Sequence, residues 1–182
     1  MELSKAIKDR RSVRKYTNEK ISREVIEEII ELSRFSPSWS NFQISRYNII
    51  EDRKVIEQIA DLGSKGFVYN IKSLKNAPGV LVISTRTGKS GVLDASKGFE
   101  KTEVNSEWEM FDAGLATQTF CLAAFDKGVS TCIFGIFDKD EVAKIINLPS
   151  DERVCAVIVY GIALEQTKTP PKKEVNELIR YI

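Results

Sequence analysis

Alternating apolar and polar positions predict a chain of interleaved helices and strands. Apolar residues at helical spacing favour helices over 3–10, 22–33, 54–62, 66–74, 103–127 and 139–146. In the second of these, Ser22 is expected to cap the N-terminus, with Val25, Ile29 and Leu32 facing inward. Apolar, β-branched runs predict strands over 45–50, 79–84, 129–134 and 154–160, of which the last three read as buried on both faces. This order indicates one α/β or α+β domain over residues 1–182.

Two stretches depart from the simple alternation. Residues 111–125 are apolar nearly all round, which predicts a buried helix rather than a surface one. Residues 85–102 are polar and contain Gly88, Gly91 and Gly98, so we expect a loop or lid there.

The composition removes several kinds of chemistry. The 182 residues include no histidine, which excludes Ser-His-Asp and Cys-His nucleophile pairs and His-ligated zinc. The cysteines Cys121, Cys132 and Cys155 lack the paired spacing of a zinc site or a disulfide framework, so we expect no metal and reduced, buried thiols. Any catalysis must then use carboxylates, hydroxyls, thiols, backbone amides or a bound cofactor.

The charge is balanced overall but uneven along the chain. A net charge of +1 gives no field for nucleic acid, and no apolar run approaches the ~20 residues of a membrane span. With no apolar leader visible at the start, we expect a cytoplasmic protein. Basic residues outnumber acidic ones eight to three over 1–23 and four to two over 166–182. These two ends could converge on one anionic group or be solvated helix surface.

A cluster of basic residues directly follows the first predicted helix. Its members are Arg10, Arg11, Ser12 and Arg14. Planar guanidiniums and a hydroxyl match phosphate oxygens, although a solvated basic turn would have the same composition. If the segment is extended, alternation places Ser12 and Arg14 on one side and Arg11 on the other.

Two further segments carry groups suited to a planar ligand. One is a polar turn that contains Pro37, Ser38, Trp39 and Asn41, where amides, hydroxyls and an aromatic face could recognise a flat, polar-edged ring. The other is a strand end at Gly135 and Ile136, where the missing side chain would let a ligand approach the backbone. An ordinary capped loop and plain strand termination are the alternatives.

One carboxylate, Asp112, falls in the apolar helix. A buried carboxylate is either paired or functional, and we favour a structural partner.

In this order, several segments resemble the FMN-dependent nitroreductase family over nearly the whole chain. They are RRSVRKY, SPSWSNFQ, YNIKSLKNAP, FDAGLATQTFCLAA, VSTCIFGIF, INLP and VIVYGIA. The resemblance implies an α+β sandwich, with a central mixed sheet flanked by helices and a long buried central helix. It also implies an intertwined homodimer with FMN at the subunit interface.

The resemblance also implies roles for individual residues. The FMN phosphate and ribityl chain would be held by Arg10, Arg11, Ser12 and Arg14. The flavin ring would be lined, from the partner subunit, by Pro37, Ser38, Trp39 and Asn41. Asn70 would bond the pyrimidine edge, and the backbone at Gly135 and Ile136 would face the reactive nitrogen. Lys172 or Lys173 would close the phosphate site. Trp39, where the family commonly has a small residue, would narrow the pocket over the ring.

The implied activity is a ping-pong reaction in which NADH or NADPH reduces the flavin and a nitroaromatic or quinone reoxidises it. No side-chain acid or nucleophile is required, which agrees with a chain that lacks histidine. The alternatives are another flavin reaction (dehalogenation, enone reduction or flavin fragmentation), a flavin storage or sensing module, and a basic-ended interaction domain with no cofactor.

Overall fold

The computed structural model describes residues 2–92, 107–165 and 167–182. Within these ranges the helices are α1 (Leu3–Asp9), α2 (Arg23–Ser33), α3 (Arg53–Gln58), α4 (Val68–Asn76), α5 (Glu107–Asp126) and α6 (Lys139–Ile145). The strands are β1 (Ser45–Ile50), β2 (Gly79–Arg86), β3 (Ser130–Phe134) and β4 (Glu152–Gly161). One π-helical turn, Ile59–Gly63, continues α3, and 3₁₀ turns occupy Trp39–Asn41 and Val175–Glu177.

The strands form one sheet in the order β1-β2-β4-β3, and every neighbouring pair is antiparallel. The segment after α1 extends the sheet. It forms a parallel bridge from Ser12 to Thr131 and an antiparallel bridge from Tyr16 to Ala163. The α+β architecture is confirmed, and the parallel pairing that makes the sheet mixed is limited in the described residues to the Ser12 bridge.

Alternate residues of the central strands pack into two separate hydrophobic cores, one on each face of the sheet. On β2, Val80 and Val82 pack with residues of α3, α4 and α6, whereas Leu81 and Ile83 pack with residues of α2 and α5. Helices therefore cover both faces of the sheet. The long α5 lies in the second layer, as its apolar circumference predicts, with Ala116 and Phe120 at most 2% exposed.

The start of the expected 85–102 loop differs from the sequence-based expectation. β2 continues through Arg86, so the first two residues of the expected 85–102 loop are strand, paired with Arg153 and Glu152 of β4. Residues 93–102 of that loop and 103–106 of the expected helix lie outside the described ranges.

The buried face of α2 also differs in part from the expectation. Ser22 caps this helix as predicted, because its Oγ accepts a bond from the Val25 amide at 3.4 Å. Leu32 was expected inside but is 46% exposed, because the buried face follows Ile26, Ile29 and Ser33. None of the described helices is both long and apolar enough to cross a membrane.

The two-sided burial of β2 leads to a stability prediction. Replacing the fully buried Leu81 with alanine should lower the free energy of unfolding by about 2.5–5 kcal/mol, because the cavity has no way to collapse between sheet and helix. The same substitution at Leu62, which is 58% exposed, should cost less than about 1 kcal/mol. Urea unfolding of both variants checks this, and equal losses would contradict the described core.

Candidate functional site

A cleft of about 340 Å³ lies where β3 ends beside the start of α4. Its lining residues are Arg14, Phe67, Tyr69, Asn70, Cys132, Ile133, Phe134, Gly135 and Ile136. Four residues selected from separate stretches of the sequence, at positions 14, 70, 135 and 136, therefore meet in one cleft.

The amide of Asn70 connects α4 to the end of β3. This side chain is 8% exposed, and its Nδ2 donates a hydrogen bond to the carbonyl of Ile136 at 2.8 Å. The amide oxygen of Asn70 accepts no hydrogen bond from the described residues. A buried side chain fixed in this way presents a directed polar group at the cleft wall.

Gly135 leaves an open stretch of backbone at the same place. A methyl group added to it would meet no atom of the described residues within 4 Å apart from its own chain neighbours, and its φ is not positive. Neither packing within the chain nor backbone conformation therefore explains the glycine. Beside it, Ile133 and Ile136 are 43% and 49% exposed and give the cleft an apolar surface on which a flat ring could lie.

The basic segment after α1 approaches this cleft from the Cys132 side. The Ser12 bridge to Thr131 lays the segment along β3, and Arg14 Nη1 donates to the Ser12 carbonyl at 3.2 Å. Burial raises the pKa of the Cys132 thiol, and the nearby Arg14 guanidinium, the Ser12 side chain and the Arg10 guanidinium oppose that rise. Arg10, Ser12 and Arg14 thus all lie near the Cys132 thiol.

Arg11 points to the other side, as the alternation predicts. It lines a separate cleft of about 520 Å³ and contacts Thr169. Lys172 and Lys173, which follow Thr169 along the chain, are exposed.

The polar turn at residues 36–43 holds an unusual backbone conformation. Ser40, Asn41 and Gln43 all have positive φ, at 44°, 55° and 51°. Each such residue costs on the order of 1 kcal/mol, and strain of this kind clusters at functional sites. The turn is held by a bond from the Gln43 amide to Ser38 Oγ at 2.9 Å.

The buried Asp112 carboxylate holds the same turn through hydrogen bonds. The carboxylate is 1% exposed and accepts the Trp39 amide at 3.0 and 3.2 Å, while Ser90 Oγ donates to it at 2.6 Å. The structural partners expected for this buried carboxylate are therefore present. The Trp39 ring packs on Trp108, with 4.7 Å between centroids.

Among the described residues, this turn and the basic segment line different clefts. Pro37, Ser38 and Asp112 line a third cleft of about 170 Å³, whereas Arg14 and Asn70 line the first. The residues selected from sequence are thus divided among three clefts, with Arg11 in the second.

Sequence reasoning missed two aromatic side chains of the first cleft, and Thr169 beside Arg11. Phe67 and Tyr69 are 37% and 71% exposed, and their ring centroids are 5.6 Å apart. Two aromatics just before Asn70 were an available signal. Thr169 had none, because its contact with Arg11 spans 158 residues.

Comparison with known proteins points to one family. A model of the Nitroreductase family matches residues 7–162. FMN reductase [NAD(P)H] of Bacillus subtilis is 24% identical over 100% of this chain and 75% of its own length. Iodotyrosine deiodinase of Thermotoga neapolitana is 24% identical over 96% of this chain and 94% of its own length. The crystal structure of a nitroreductase family protein from Streptococcus pneumoniae superposes with a TM-score of 0.87, at 18% identity and 100% coverage of both chains.

The Asp112 contacts predict a measurable effect on the turn. Asp112→Asn replaces one acceptor oxygen with an NH₂ group and should lower the free energy of unfolding by about 1–3 kcal/mol. It should also reduce the near-ultraviolet circular dichroism of the Trp39–Trp108 pair, since the chain has only these two tryptophans. Asp140→Asn, at an exposed position, is the control. Unchanged stability together with an unchanged tryptophan signal would contradict the assignment.

Proposed function

Since this chain belongs to the nitroreductase family, we propose that it is an oxidoreductase that binds FMN and uses NADH or NADPH to reduce nitroaromatics, quinones or similar acceptors. The observation that carries the proposal is the meeting of Arg14, Asn70 and Gly135 at one cleft. Bound FMN would supply the redox chemistry, accepting a hydride from the nucleotide and passing reducing equivalents to the acceptor in a ping-pong sequence.

The FMN phosphate and ribityl chain would be held by Arg10, Ser12 and Arg14. Two guanidiniums and a hydroxyl on one side of an extended segment can give a phosphate charge-assisted hydrogen bonds. Because the segment is paired with β3 through Ser12, these groups need little reordering when the phosphate binds.

The ring of FMN would lie over the end of β3. Asn70 would bond the pyrimidine edge through the amide oxygen that has no partner in the described residues. The backbone at Gly135 and Ile136 would face the reactive nitrogen, since nothing occupies the space where a Gly135 side chain would stand. The apolar surface of Ile133 would exclude water from the ring face.

A second copy of the chain would complete the site. The group formed by Pro37, Ser38, Trp39 and Asn41 would come from the partner of a homodimer, because in the described residues of one chain Pro37 and Ser38 line a cleft other than the Arg14 cleft. Large exposed apolar side chains support such an interface: Leu3, Ile7, Phe111, Val175, Leu178 and Tyr181 are each more than half exposed.

No side chain of this chain needs to act as catalytic acid or base in this proposal. The chain lacks histidine, and its residues bind, orient and shield the cofactor. A cytoplasmic location, where both nucleotides are available, fits this activity, and a loop or lid that includes residues 93–102 stays a prediction.

Reductive dehalogenation is the second candidate. It is supported by the similarity to an iodotyrosine deiodinase over 96% of this chain. The same FMN site would serve both reactions, so the acceptor distinguishes them. Enone reduction and a storage or sensing role for bound flavin are the further alternatives.

The direct test is the visible spectrum of the purified protein under argon. We expect a flavin band that NADH or NADPH bleaches and that a nitroaromatic or quinone restores, with free FMN at equal concentration as the control. If iodotyrosine restores the band and nitroaromatics and quinones do not, dehalogenation is favoured. A band that neither nucleotide bleaches would favour storage or sensing. A colourless protein that retains no added FMN would contradict the proposed function.

A further inference from the structure

Arg11 uses most of its hydrogen-bonding capacity within the protein. Its Nη1 donates to the carbonyls of Lys8 at 2.6 Å and Arg10 at 2.7 Å. Its Nε donates to Thr169 Oγ1 at 3.2 Å, and its Nη2 also donates to that hydroxyl. A guanidinium has five N–H groups, so only about one remains for any ligand. Arg11 therefore joins the end of α1 to the C-terminal segment.

The chain after β4 is brought to Arg11 by backbone pairing. The Leu164 amide donates to the Lys15 carbonyl at 3.0 Å, and the Thr17 amide donates to the Ile162 carbonyl at 2.9 Å. The two segments run antiparallel, so residues later than 164 lie opposite residues earlier than 15. The side-chain contact between Arg11 and Thr169 lies further along the same two segments and places Thr169 beside the end of α1.

The position of Thr169 limits where the next basic residues can go. Lys172 and Lys173 follow it by three and four residues, which span at most about 10–14 Å of extended chain. Arg10 and Ser12, on the other side of the same short segment, are adjacent to Arg11 in sequence. Both lysines therefore stay within reach of the phosphate that Arg10 and Ser12 would hold.

We propose that Arg11 is a positioning residue that holds the C-terminal segment through Thr169, so that Lys172 or Lys173 reaches the FMN phosphate. Arg11 does not bind the phosphate itself in this arrangement. The inference rests on the proposed FMN site and adds to it the means by which the two basic ends of the chain meet.

The test uses Thr169, which is outside the proposed binding site. Thr169→Val removes the hydroxyl at nearly constant volume and should weaken FMN binding about three- to tenfold, the effect of losing one hydrogen bond of ordinary net strength. Thr169→Ser keeps the hydroxyl and should stay within about twofold of the unmodified protein. Fluorescence of FMN released on serial dilution of the holoprotein gives these dissociation constants.

A protein that lacks both lysine side chains distinguishes the positioning of Lys172 or Lys173 from a general structural effect. In a Lys172→Ala/Lys173→Ala protein, neither Thr169→Val nor Arg11→Ala should weaken FMN binding further, because the groups that they position are gone. Limited trypsin digestion of the otherwise unmodified chain provides a readout independent of flavin. Thr169→Val should speed cleavage after Lys172 and Lys173, since the segment is released.

Three results would overturn the proposal. They are unchanged FMN affinity in Thr169→Val, an equal loss in the background without the two lysines, or an unchanged cleavage rate. Failure of the unmodified protein to retain FMN would contradict the proposed function itself and this inference with it. The other three results leave the flavin site in place and reject only the role of Arg11.

Discussion

The hydrogen bonds that fix residues 12–17 determine where the basic side chains after α1 lie. The Val13 amide bonds the Thr131 carbonyl at 3.0 Å, and the Tyr16 amide bonds Asn76 Oδ1 at 2.6 Å. Val13 and Tyr16 are 6% and 2% exposed, and burial raises the pKa of the Tyr16 phenol far above its usual value. Along this extended segment alternate residues share a side, so Ser12 and Arg14 project to one side and Arg11, with Val13, to the other.

The same principle, a rigid framework that holds polar groups at its margin, applies to the turn at 36–43. Three residues there adopt positive φ without being glycine, and the buried Asp112 carboxylate holds the Trp39 amide. Such strain persists only where surrounding contacts impose it. The strained backbone of this turn lowers the stability of the protein, although the turn lines no part of the Arg14 cleft in its own chain. The proposed role of this turn at the site of a second chain would account for the strained backbone.

Much of this could be predicted from the sequence, because the dominant signals were local. Apolar runs located all four strands of the described sheet, and Ser22 marked the start of α2. Alternation separated Arg11 from Ser12 and Arg14 because it depends only on an extended backbone. The interactions that escaped prediction are long-range or depend on rotation about a helix axis. The Arg11–Thr169 contact spans 158 residues, and the exposure of Leu32 depends on which α2 face meets the sheet.

The central claim is that each site uses the basic segment of one chain and the 36–43 turn of another. Co-expression of Arg14→Ala chains with Trp39→Ala/Asn41→Gly chains, carrying different tags, tests it most directly. Asn41→Gly removes the side chain while tolerating the φ of 55°. Each variant alone should retain little FMN, whereas a random mixture of dimers should regain about a quarter of the native sites, because each heterodimer has one site with both halves intact. A mixture that retains no more FMN than the average of the two separate variants would contradict the claim.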